Sequence, residues 1–225
     1  MPAKKTRNAP KPSLRRMPRY LRCLQRMAKE RPEWVSCTHI AEQLDLDPTL
    51  VRKDLAMTGI TGRPKTGYLL AELVEAIEHF VGWDTPEDAF LIGAGNMGAA
   101  LLGFGGFQRH GLNIVTGFDI DPGKVGTKIH GKEILHIDQF VDMARRMHVE
   151  IGIIACGVAS AQQVADTMVE GGIRAIWNFA PIKLQIPENV IIEYEDLSAT
   201  LAVLSRKLAS RRQLDAEAPV CGNDL

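Results

Sequence analysis

The sequence is poor in several things that would have fixed its class at once. Aromatic residues make up 6% of its 225 positions. The four cysteines (Cys23, Cys37, Cys156, Cys221) form no CxxC pair, and no histidine stands at metal-ligand spacing. Neither a disulfide framework nor a zinc site is expected, and a reduced cytoplasm is the simplest compartment. No apolar run approaches the roughly 20 residues of a membrane span, and no apolar stretch follows the basic N-terminus as a secretory signal would require. Net charge is missing too, since Lys plus Arg and Asp plus Glu are both 27. What is there is ordinary globular material: 45% hydrophobic and 24% charged residues. That excludes a wholly disordered chain, and the length allows one or two domains.

The neutral total conceals a segregation. Residues 1–70 carry 15 Lys/Arg against 6 Asp/Glu, and residues 71–225 carry 12 against 21. No acid precedes Glu30. A basic N-terminal unit is the electrostatic footprint of a phosphate-backbone binder. Residues 1–13, rich in Pro and Lys, read as a disordered basic tail, but the excess continues at Arg15, Arg16, Arg19, Arg22 and Arg26.

Residues 14–85 have the pattern of a small DNA-binding domain. A first helix is expected from Met17–Pro18, with proline at its first position and Tyr20, Leu21, Leu24, Met27 and Ala28 on one face, stopping at Arg31–Pro32. Ser36 reads as the N-cap of a second helix, and Asp47 followed by Pro48 as the start of a third. Val51 and Leu55 then face inward and Thr49, Arg52, Lys53 and Ala56 outward, which is helix-turn-helix geometry. Three glycines around Arg63, Pro64 and Lys65 predict a short hairpin with a basic tip, a wing. Leu69, Leu70, Leu73, Val74, Ile77 and Phe80 predict a fourth helix. An interaction module with an incidentally basic face is the alternative.

Residues 86–197 read as a Rossmann unit. Ala89–Ile92 is a short apolar strand running into Gly93-Ala-Gly95-Asn-Met-Gly98, and an Ala/Leu-rich helix start follows. That is the dinucleotide fingerprint in its required context. Gly93 permits the tight turn, Gly95 clears the pyrophosphate, and Gly98 lets helix and strand pack closely. The helix-start amides then face the phosphates. A second strand ends at Asp119, 21 residues past Gly98, where a carboxylate accepts from the adenosine ribose hydroxyls and repels a 2′-phosphate. The reading is NADH or NAD+ rather than the 2′-phosphorylated forms. Strands are expected at 150–156, 175–179 and 190–194, alternating with helices, hence a doubly wound parallel sheet. Cys156, Gly157, Asn178 and Phe179 would then flank the nicotinamide, Asn178 meeting the carboxamide and Phe179 either stacking on the ring or, equally, serving the core.

A dehydrogenase would also need a substrate pocket and an acid/base group. The sheet consumes nearly all the remaining chain, and no histidine falls in a catalytic pattern. No catalytic residue and no metal are assigned, so the cofactor is expected to be read rather than consumed. A small NAD-dependent oxidoreductase with a nucleic-acid tether, and a scaffold binding coenzyme A, are the alternatives.

With these motifs in place the chain resembles the Rex family of redox-sensing transcriptional repressors. The resemblance rests on 16–22 (RMPRYLR), 51–55 (VRKDL), the glycines through Gly67–Tyr68, GAGNMG, 119–126 (DIDPGKVG) and 178–181 (NFAP). It implies a repressor on double-stranded operator DNA that lets go when NADH binds. It also implies a homodimer whose C-terminal helix, about 198–212 and followed by a tail over 213–225, swaps into the partner. Arg22 and Asp196 match family positions that form a switching ion pair. The resulting nucleotide contacts are Gly93, Ala94, Gly95, Asn96, Met97, Gly98, Asp119, Ile120, Lys124, Cys156, Gly157, Asn178 and Phe179. The DNA contacts are Arg16, Arg19, Thr49, Arg52, Lys53, Arg63 and Lys65. The chain departs from the family at Ala56-Met57-Thr58, at the wing (where an Arg-Gly pair is common), and at Phe104, where a tyrosine is frequent.

Overall fold

The computed structural model describes residues 9–30 and 33–217. They divide into two compact units: one runs through Glu87 and adds Gly105–Asn113, and the other holds Asp88–Phe104 and the chain from Ile114 onward. The first unit contains α1 (Lys11–Met27), β1 (Trp34–Val35), α2 (Cys37–Leu44), α3 (Pro48–Ala56), β2 (Tyr68–Leu69) and α4 (Leu70–Val81).

Local chemistry starts and stops these helices. Ser36 Oγ accepts from His39 N at 3.1 Å to cap α2. Asp45 ends that helix in the left-handed conformation (φ 53°). Asp47 Oδ1 accepts from Thr49 N and Leu50 N at 2.7 and 3.1 Å to open α3. The face of α3 turned inward is Val51, Asp54 and Leu55, packed among Met17, Tyr20, Leu21, Leu24, Ile40, Leu73 and Ile77. Residues 105–113 join the same unit through His110, whose ring stacks on Trp83 with centroids 4.1 Å apart.

The start of α1 differs from expectation. The helix begins at Lys11, so Pro18 lies inside it and Lys11–Ser13 are helical rather than part of a tail. Pro12 takes an early helical position where its missing N–H is harmless. An interior proline costs about 3 kcal/mol. The turn before it is held because Ser13 and Met17 are buried and Arg16 is bonded to Asp54 of α3. Residues 1–8 and 218–225, and the expected stop at Arg31–Pro32, lie outside the described residues.

The second unit contains β3 (Glu87–Ile92), α5 (Asn96–Gly103), β4 (Leu112–Asp119), β5 (Lys128–Ile129), β6 (Lys132–His136), α6 (Phe140–Met147), β7 (Ile151–Ile154), α7 (Val158–Glu170), β8 (Ala175–Asn178), β9 (Ile191–Tyr194) and α8 (Leu197–Glu217). Seven strands form one sheet in the order β5-β6-β4-β3-β7-β8-β9. The β4–β6, β3–β7, β7–β8 and β8–β9 pairs are parallel, and β5–β6 is antiparallel. This is the doubly wound α/β sheet, with the β5–β6 hairpin as an addition not read from the sequence. Its two-residue turn, His130-Gly131, has positive φ at both positions (50° and 80°).

Alternation along β3 divides the sheet's two faces. Phe90 and Ile92 join Phe118, Phe140, Ala144 and Val164 in one core. Leu91 points to the opposite face, where a Cβ on Gly98 of α5 would come within 3.1 Å of it. Helices therefore cover both faces. Phe90, Phe118 and Phe140 meet edge to face with centroids 5.1–5.9 Å apart. Replacing the fully buried Phe140 by alanine should cost about 3–5 kcal/mol. Urea unfolding followed by Trp177 fluorescence checks this; a loss under about 1 kcal/mol would mean the trio is not the centre of this core.

Candidate functional site

The second unit has a cleft of about 340 Å³ at the carboxyl ends of β3, β4 and β7. It is lined by Gly93, Gly95, Asp119, Ile120, Lys124, Cys156 and Gly157, with Ile92, Ile137, Ala155, Ser160, Gln163 and Val164. Chain order reverses here, β4 lying on one side of β3 and β7 on the other. Such switch points are where open α/β sheets take ligands.

The glycines divide the work as their spacing suggests. Gly93 turns at φ 105°, and a Cβ there would lie 2.6 Å from Cys156 N. A Cβ on Gly98 would overlap Gly93 O, so helix and turn touch. Around Gly95 nothing lies within 4 Å of where a Cβ would stand. Gly95 is the N-cap of α5 and no side chain caps that helix. An open approach to helix-start amides suits a phosphate.

Asp119 closes the end of β4. Its Oδ2 accepts from Ala94 N at 2.8 Å and from Lys124 Nζ at 3.0 Å, and its Oδ1 accepts from Asp121 N at 2.9 Å. Burial works against its charge, but these bonds prevail and hold its pKa below the ordinary value. The carboxylate thus ties the glycine turn to β4 while keeping acceptor capacity at the cleft wall. Lys124 also reaches Asp121 Oδ2 at 3.6 Å, so one ammonium sits between two carboxylates and this end of the cleft keeps an acidic balance. Burial, the dominant influence, pushes the Cys156 thiol upward, the reverse of what a nucleophile needs.

Ala94 shares the turn through its amide, whereas Asn96 and Met97 are exposed at the start of α5 and do not line the cleft. Asn178 and Phe179 do not reach it either. Asn178 is wholly buried. Its Nδ2 donates to Ala180 O and Ile182 O at 2.9 and 3.2 Å, and its Oδ1 accepts from Ala180 N at 2.9 Å. It braces the turn after β8 and has no donor left for a carboxamide. Phe179 packs on Trp177 instead, centroids 4.8 Å apart.

In the first unit Thr49, Arg52 and Lys53 are exposed on α3, and Arg63 and Lys65 at the wing. Arg19 is exposed, with Nη2 donating to Leu44 O at 3.3 Å. Arg16, expected among the DNA contacts, has turned inward. Its Nε and Nη2 donate to Asp54 Oδ2 and Oδ1 at 2.6 and 2.9 Å, and Tyr20 OH donates to Oδ2 at 2.6 Å. Burial opposes the Asp54 charge, yet the bonds from Arg16 and Tyr20 hold its pKa below the ordinary 3.8. Burial and the nearby carboxylate push the Tyr20 hydroxyl upward. Asp54 is the site residue that the sequence reading missed. Its position, three past Val51 and one before Leu55, was the available signal.

Two family models match the chain: "Putative DNA-binding protein N-terminus" over residues 8–56 and "CoA binding domain" over residues 84–182. A redox-sensing transcriptional repressor Rex of Treponema denticola is 42% identical over 201 residues, covering 89% of this chain and 96% of the relative. One from Bacteroides thetaiotaomicron is 39% identical, covering 88% and 90%. This chain belongs to the Rex family. Among solved structures, the repressor RSP in complex with NAD+ and operator DNA superposes with a TM-score of 0.85 at 32% identity, covering 95% of this chain and all of that one. RSP in complex with NADH gives 0.83 at the same identity, covering 93% and 99%.

Of the two residues expected to form a switching ion pair, Arg22 is exposed on α1. Asp196 caps α8, its Oδ1 accepting from Ser198 N and Ala199 N at 2.8 and 3.2 Å. Bonds from Ser198 and from these amides lower its pKa.

The Arg16–Asp54 pair gives two measurable consequences. Removing one partner of a buried pair strands the other charge, so Arg16→Met should lower stability by about 3 kcal/mol in chemical denaturation. Unchanged stability would return Arg16 to the list of DNA contacts. Because the folded pKa of Asp54 is depressed, its contribution is full above pH 3.8 and lost as pH falls through the folded value. Melting between about pH 4 and pH 2 should therefore fall more steeply in the natural chain than in Arg16→Met; parallel profiles would contradict this.

Proposed function

We propose that this chain is a DNA-binding transcriptional repressor that senses the NADH/NAD+ ratio and releases operator DNA when NADH binds. The observation that carries it is the presence, in one Rex-family chain, of an outward basic recognition helix and a dinucleotide cleft with an acidic ribose end. That solved relatives hold NAD+ with operator DNA, and NADH, supports the same reading. Residues 14–85 serve as the DNA reader, 86–197 as the nucleotide reader and 198–212 as the dimerising helix.

The residues fit a dinucleotide. The amides opening α5, cleared by Gly95, would face the pyrophosphate, and Asp119 would accept from the adenosine ribose with Ile120 at the lip. Asp121 beside it keeps a 2′-phosphate out. Bound NADH differs from NAD+ by a hydride, a neutral puckered ring in place of a flat cation, and a mainly apolar cleft favours the neutral form.

A homodimer is part of this proposal. Leu201, Leu204 and Leu208 recur at helical spacing on α8 and are 61%, 63% and 50% exposed, a face that a second copy would cover. Two recognition helices must meet successive major grooves about 34 Å apart, so a modest rotation between protomers suffices to lose the operator. A ligand drives that rotation only through differential affinity for the two arrangements. Action on DNA implies the cytoplasm. Among the described residues no helix is long and apolar enough to cross a membrane.

The match to a CoA-binding model is a specific observation for a second reading, coenzyme A as the occupant. Calorimetry distinguishes the two: NADH should bind, coenzyme A and NADPH should bind at least about tenfold more weakly, and Asp119→Asn should cost NADH roughly tenfold, in line with losing a charged hydrogen bond. Tighter binding of coenzyme A would overturn the assignment. On the DNA side, Arg52→Ala or Lys53→Ala should weaken binding to the duplex the chain selects from a randomised pool. Each should also flatten the salt dependence by about one unit of slope and leave NADH affinity unaltered. Loss of NADH affinity would contradict the division of labour.

A further inference from the structure

The wing has a support of its own. It is closed by Arg63 N donating to Gly67 O at 2.7 Å, with Thr66 N and Gly67 N donating to Arg63 O at 3.3 and 3.0 Å. Its base is fixed because Gly67 has φ 97° and a Cβ there would overlap Val35 O of β1. Pro64 sets one of the two tip residues. The other, Lys65, is held at φ 65°, a left-handed conformation that costs a residue with a side chain energy. Next to this closed turn, the Arg63 guanidinium carbon lies 4.6 Å from the ring centroid of Trp34. Trp34 is half-buried on β1, where it pairs with Leu69 at the wing's return strand.

A guanidinium laid on an indole is attracted to the ring face and keeps its N–H edge outward. An arginine on a mobile loop would lose its rotamer freedom on meeting DNA; one already seated has lost it beforehand. We infer that Trp34 is a positioning residue for DNA recognition: it presets Arg63, so that the wing offers the phosphates and minor groove of the duplex one cation in a fixed place, the Arg63 edge, beside Lys65 projecting from a fixed turn. A basic tip with a flexible arginine would bind by charge alone. A seated one also senses groove width, because only a groove of matching width meets both cations at once. This rests on the proposed DNA-binding role.

The test is a mutant cycle read by fluorescence anisotropy on the selected duplex, with NADH affinity and melting temperature as controls for folding. Trp34→Ala should weaken DNA binding about two- to five-fold, the range of an exposed cation–π contact. Its slope of log affinity against log salt should be unchanged, since both cations remain. Arg63→Ala should reduce that slope by about one. The double variant should bind no more weakly than Arg63→Ala alone, because Trp34 acts through Arg63. Trp34→Leu, which fills the space without a π face, should behave as Trp34→Ala, and Trp34→Phe should recover part of the loss. Unchanged affinity in a folded Trp34→Leu protein, or losses from Trp34 and Arg63 that multiply in the double variant, would overturn the inference. Absence of duplex binding by the natural chain would overturn the DNA-binding role and this inference together; multiplying losses on a natural chain that binds would overturn the inference alone.

Discussion

A carboxylate taken out of water must be matched by donors or it destabilises whatever holds it, and in the N-terminal unit that requirement organises the reading surface. Asp54 sits on the inward side of the recognition helix. Arg16 meets it with two parallel bonds and Tyr20 with a third. The recognition helix is thereby keyed to α1 at one rotational setting, the one that leaves Thr49, Arg52 and Lys53 outward. The same bonds hold the first turns of α1 together ahead of Pro18. Among the described residues no buried side-chain nitrogen or oxygen lacks a hydrogen-bond partner, so the key is complete.

The second unit solves a similar problem with Asp119. There the donors are two backbone amides and Lys124, and the keyed object is the glycine turn. The carboxylate that would face a ribose is thus also the one that shapes the phosphate loop. Local order in the cleft follows from one side chain, and the proposed recognition of the adenosine end would follow from the same one. A chain that reads a coenzyme without transforming it needs this kind of rigidity more than it needs an acid or base.

Much of this was legible because the signals are local. Ser36, Asp47 and Pro48 mark helix starts through their own hydrogen bonds and ring, and GAGNMG after an apolar strand places turn, helix and cleft together. What was not legible depends on distant partners. Pro18 reads as a helix start until Ser13 and Arg16 are seen to be held by Asp54, 38 residues from Arg16. Arg16 reads as a surface cation for the same reason. Asn178, at a strand end where ligands gather, turned out to be spent on its own following turn. The His130-Gly131 hairpin was hidden because its strands are two and five residues long, too short for a period to show. Trp34 gave no signal at all, since its partner is 29 residues on, at the wing.

The central claim is that occupancy of the nucleotide cleft governs occupancy of DNA. The most direct measurement is anisotropy of a labelled duplex, selected by the chain itself, titrated with NADH and separately with NAD+ at fixed protein concentration. The account predicts that NADH releases the duplex and that NAD+ at equal concentration leaves most of it bound. A duplex held equally well at saturating NADH would contradict it.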